Sequence, residues 1–69
     1  MEFKELKLKI LREFDNQQNF ANVIGMHITS LNQRLNGKVE WKISEVEKAC
    51  NLLHIENNDI ALYFFSQKV

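Results

Sequence analysis

Apolar residues recur along most of this chain at intervals of three and four, the spacing of helices buried on one face. Phe3, Leu6, Ile10 and Phe14 form the first such stripe and predict a helix over about Phe3 to Phe14. Leu8 falls off that stripe and Leu11 beside it, while Lys4, Glu5, Lys7 and Glu13 fill a solvated face. A second helix is expected from Gln17 to Ile24. Asp15 or Asn16 can cap it, because a short polar side chain accepts from the exposed N–H groups. A third runs from Ile28 to Leu35, anchored by Leu31 and Leu35 one turn apart. Asn36-Gly37 ends it, since glycine takes the left-handed conformation a helix terminus needs. Between these two, Gly25 can adopt the positive φ that turns the chain, and Ala21 is small where the next helix passes close. After a loop from Lys38 to Ile43 a fourth helix begins at Ser44. There Ser44 and Glu47 have capping-box spacing, each side chain reaching the other's N–H. Val46, Ala49, Cys50 and Leu53 make its buried stripe. A fifth helix starts near Asn57 or Asn58, runs to about Ser66 and carries Ile60 through Phe65. Strand signals are nearly absent. The expected architecture is all-α: five helices with short connections in one domain, residues 1–69.

Composition narrows the function classes. An apolar share of 45% is too high for a disordered chain. Cys50 is the lone cysteine, which excludes an intramolecular disulfide and a Cys-rich metal site. His27 and His54 lie far apart, so no metal and no cofactor are expected. No apolar run is long enough for a bilayer and no signal peptide stands at the start, so a cytoplasmic protein without a membrane partner is expected. There is no nucleophile elbow and no Gly-rich phosphate loop, so no residue is assigned a catalytic role.

Two short helices crossing at a tight turn present the outer one to a DNA major groove. Residues of the third helix off the Leu31/Leu35 stripe would then read bases. Gln33 suits the N6 and N7 edge of adenine, and Thr29 offers a hydroxyl and a methyl. Ile28 suits a thymine methyl, and Asn32 reaches a base edge or a phosphate. Gln17, at the start of the second helix, could hold a phosphate. Asn36, Lys38 and Lys42 could grip the backbone on the far side. Trp41 packs on the core or offers its indole N–H to a phosphate. Formal net charge is zero, which argues against nucleic acid. Between Asn16 and Lys42, however, Arg34, Lys38 and Lys42 face only Glu40, a local excess of two positives.

The residues Leu6, Ile10, Phe14, Gln17, Phe20-Ala21, Ile24-Gly25, Leu31, Leu35-Asn36-Gly37 and Tyr63-Phe64-Phe65 carry a family likeness. In them the chain resembles the phage Cro and repressor family of helix-turn-helix domains, and within it small Cro-like proteins of Gram-positive phages and prophages. The resemblance implies a five-helix Cro/repressor-like fold and double-stranded operator DNA as partner. It also implies homodimerisation at least on DNA, and a bacterial cytoplasm. It places Ile28, Thr29 and Gln33 at the positions used most for base contacts. Ile28 departs from the commonest polar pattern there.

Tyr63, Phe64 and Phe65 are consecutive, about 100° apart around a helix, and cannot all face one core. They are the candidate dimer contacts, joined by Leu62 and Val69. The principal expectation is thus a transcriptional regulator that occupies an operator. The alternative is a protein-interaction module, co-repressor or anti-repressor, that binds and modulates a partner repressor through the aromatic C-terminal helix or the Ile28 face.

Overall fold

Leu6 and Ile10 have no solvent exposure, and their burial explains why the first segment folds as helix α1, Lys4–Phe14. The computed structural model describes residues 3–65. Phe3 stands just before α1, not inside it, and is itself buried; its N–H bonds to Leu35 O at 3.2 Å. Two residues, Asp15 and Asn16, turn the chain into α2, Gln17–Ile24. Asn16 is the cap: its Oδ1 accepts from Asn19 N–H at 2.8 Å. Asp15 instead takes the bend, with φ at +73°.

Gly25 closes α2 in the left-handed region at φ +81°, and α3, Ile28–Leu35, starts three residues later. Phe20, Ala21, Leu31 and Leu35 are all fully buried, so α2 and α3 cross over a side chain no larger than a methyl. Gly37 ends the pair at φ +78°. α4 spans Ile43–Leu53 and contributes Ala49, Cys50 and Leu53 to the same core. Burial pushes the Cys50 thiol up, consistent with a small apolar packing residue. His54 terminates α4 in the left-handed region. The expected long fifth helix is a 3₁₀ turn, Asn57–Asp59, followed by α5, Ile60–Phe64. Glu56 is extended, and the bond from Asp59 N–H to Glu56 O at 2.8 Å closes the 3₁₀ turn before α-helical bonding takes over. The expected end at Ser66 lies outside the described residues. Among the described residues the architecture is five α-helices without strands, and no helix is long and apolar enough to cross a membrane.

The start of α4 departs from the capping box expected at Ser44. The helix begins at Ile43, and the Glu45 carboxylate accepts from Lys42 N–H at 2.9 Å. The same oxygen, Oε1, accepts from Arg34 Nε at 2.8 Å, while Arg34 Nη1 donates to Ser30 O at 3.1 Å. With the helix starting at Ile43, Glu45 is its third residue and stands where a capping carboxylate reaches back, while Arg34 reaches across from α3 to the same oxygen. Arg34 and Glu45 keep only 13% and 18% of their side-chain exposure. Burial opposes ionisation of Glu45, but hydrogen bonds from Arg34 and Lys42 N–H, and the charges of both residues, outweigh it. The carboxyl is held below the ordinary glutamate range.

Removing one partner leaves the other partly buried and uncompensated, so Arg34→Ala is expected to cost about 1–3 kcal/mol in urea unfolding. The lowered Glu45 pKa makes this contribution complete above the unfolded value near ~4.3 and lost as pH falls through the folded value. Glu45→Gln should remove that component of the acid-side profile. Superimposable pH profiles for the wild type and Glu45→Gln would show that the pair stabilises nothing.

Candidate functional site

α2 carries no charged side chain, and Arg34 is the only one on α3. With Arg34 committed to Glu45, the local positive excess read from the sequence shrinks. Lys38 and Lys42 remain exposed against Glu40. The exposed polar side chains of the two helices are amides and a hydroxyl: Gln18, Asn19, Asn22, Thr29, Asn32 and Gln33. Several are already engaged. Gln18 Nε2 donates to Asn22 Oδ1 at 2.9 Å, and Asn19 Nδ2 to Phe14 O at 2.9 Å.

The four residues expected to read bases do not share one environment. Thr29, Asn32 and Gln33 are exposed, but Ile28 is half-buried and packs against the core. Three residues before Leu31 and seven before Leu35, it lies on their stripe and not off it, and packs with them against the core. His27 caps α3, its Nδ1 accepting from Thr29 N–H at 3.1 Å. Of the expected phosphate ligands, Gln17 is half-buried and Asn36 is engaged. Asn36 Oδ1 accepts from Lys7 Nζ at 3.0 Å, so Lys7 does more than fill a solvated face.

The aromatic C-terminal residues also separate. Phe64 is 4% exposed and belongs to the core, which removes it as a dimer contact. Tyr63 is half-buried and Phe65 is 69% exposed. Val69 lies outside the described residues. Phe64 meets Trp41 edge to face with centroids 5.2 Å apart, and Trp41 meets Phe3 likewise at 6.4 Å. These rings, with Ile43, Phe65 and Glu40, line an open groove of about 300 Å³. Ile43, in the first turn of α4, is 79% exposed. Trp41 Nε1 is buried and has no hydrogen-bond partner among the described residues. Sequence reasoning singled out Trp41 and Phe65 but missed Ile43. Three residues before Val46 and seven before Cys50, Ile43 continues the buried stripe of α4, so spacing gave no sign of its exposure. Among the described residues no group of three or more His, Cys, Asp or Glu side chains is placed to hold a metal.

The chain belongs to a family described as proteins of unknown function, DUF739, whose model matches residues 1–67. Among solved structures it is similar to the modulator of repression (MOR) of the temperate bacteriophage TP901-1 from Lactococcus lactis. The two share 37% identity with a TM-score of 0.84, and the match covers 99% of this chain and 92% of that one. No match was found among curated proteins.

This likeness overturns the principal expectation of a regulator that reads an operator through α3. The neighbour is by name a modulator of repression, which sides with the alternative of a module acting on a repressor. The comparisons support neither operator DNA nor a homodimer as partner. The electrostatics give a physical reason. A phosphate backbone is gripped by clustered cations, and here the one cation of α3 is turned inward onto a carboxylate.

The cap on α3 gives a direct test of how its exposed face is held. His27→Ala is expected to cost about 0.5–2 kcal/mol, and His27→Asn, which restores an acceptor, to recover most of it. Equal stability of the two variants in thermal or urea unfolding would show that the imidazole contact is not a cap.

Proposed function

We propose that this chain binds a repressor protein directly and modulates its action, and that it does so by occupancy, without catalysis. The observation that carries the proposal is the 37% identity, over 99% of the chain, with a phage modulator of repression. The charge distribution supports it. Formal net charge is zero, and the α2–α3 face is built from neutral amides, so the surface repels neither an acidic nor a basic protein. Exposed Val23, Val39, Ile43 and Phe65 supply apolar area of the kind a protein partner buries. The Cro/repressor-type helix-turn-helix arrangement expected from the sequence is part of this proposal. It is a DNA-reader's scaffold whose surface is suited to protein recognition, in a bacterial cytoplasm where the repressor works.

The test uses the full chain and the repressor of the phage or prophage that carries its gene. Light scattering is expected to show a discrete complex, and the repressor's affinity for its operator should change when the chain is added. Calorimetry should find that the complex weakens little between about 50 and 200 mM salt. A protein with 6–10 phosphate contacts loses about 10³–10⁵-fold over that range. Separate elution of the two proteins, together with unchanged operator binding, would rule the proposal out.

A further inference from the structure

We infer that the groove between the α1 start, the Glu40–Trp41 loop, the start of α4 and the C-terminal end of α5 is a socket for one protruding segment of the repressor. That segment carries a large apolar side chain next to a lysine or arginine. The inference deepens the proposed function and rests on it.

Exposure of apolar surface is uneven over the molecule. Of the large apolar side chains left in solvent among the described residues, Ile43 at 79% and Phe65 at 69% are the two most exposed, and both stand at this groove. They come from elements far apart in sequence, yet close on the same hollow. Buried Phe3 and Phe64 and half-buried Trp41 back it with a rigid edge-to-face aromatic stack. Rigid aromatic surface loses little conformational freedom when covered, which is why such residues dominate binding energetics.

Size and shape select the occupant. Seven residues line the hollow, against about 20–30 a side in a stable protein–protein interface. A second copy of the chain would set one concave surface against another and leave the space between them unfilled, which forfeits contact energy on both sides. A convex side chain fills it. Glu40 is the only charged residue in the lining, and its carboxylate is exposed at the rim. An apolar side chain flanked by a cation satisfies both features at once.

The test reads the groove and the complex separately. Trp41 is the only tryptophan, so 5-fluorotryptophan places a single ¹⁹F reporter in the socket. Its resonance is expected to shift on addition of the repressor. Ile43→Asp and Phe65→Ser, both at exposed positions, should each weaken repressor binding about tenfold or more. Glu40→Lys should weaken it more than Glu40→Gln. Leu8→Ser, which removes comparable exposed apolar surface from α1, should leave affinity unchanged. A repressor that binds the wild type but leaves the ¹⁹F signal in place, or binds the groove variants equally well, overturns the socket and spares the proposed function. Equal weakening by Leu8→Ser overturns it too. Self-association of the chain alone that is lost with Ile43→Asp would assign the groove to a second copy instead. Absence of any complex with the wild type removes both.

Discussion

The contact between Arg34 and Glu45 organises more of this molecule than its size suggests. One carboxylate oxygen accepts from the guanidinium of α3 and from the N–H of Lys42 before α4. It therefore caps one helix and pins another in the same act. Phe3 N–H on Leu35 O and Lys7 on Asn36 fasten the same end of α3 to α1. The end of α3 is thus held by two other helices. In a chain this short, where apolar burial alone leaves a narrow margin of stability, such polar fastening decides which helix faces stay fixed.

The same contact settles the electrostatic character of the exposed surface. An arginine near the end of a short helix reads from sequence as a cation offered to a phosphate. Turned inward onto a carboxylate it offers nothing outside, and the α2–α3 face is left with amides and a hydroxyl. The α2–α3 pair is thereby left without the clustered positive charge that gripping a phosphate backbone needs. Likeness to a phage modulator of repression and this loss of cationic surface point the same way.

The apolar surface tells a complementary story. The rings of Phe3 and Phe64 stack edge to face on Trp41, whose N–H has no acceptor among the described residues. A buried donor of this kind costs about 1–3 kcal/mol, and the stack tolerates it because the rings bury large areas. Beside them Ile43 and Phe65 stay in solvent. Stability would favour covering them, and a partner that covers them gains what the isolated fold forgoes.

Local physics made the helices legible. The Leu6/Ile10 and Leu31/Leu35 spacings, the asparagine before α2, Gly25 and Gly37 each act through bonds to residues only a few positions away, so the order of residues was enough to place α1, α2 and α3. The cap of α4 went to Glu45 instead of Glu47, because the helix starts at Ile43, and an arginine eleven residues earlier shares that carboxylate. Phe64 turned inward for a similar reason: what buried it were neighbours brought close by folding, whereas Ile28, three residues before Leu31 and seven before Leu35, follows the stripe of its own helix. Charge and exposure on the binding face depend on which distant side chains meet, and periodicity carries no record of those meetings. The helical framework was therefore written in the chain's local order, whereas the neutral face came from the meeting of Arg34 with Glu45, and the aromatic groove from Phe3, Trp41 and Phe64 being brought together from distant parts of the chain.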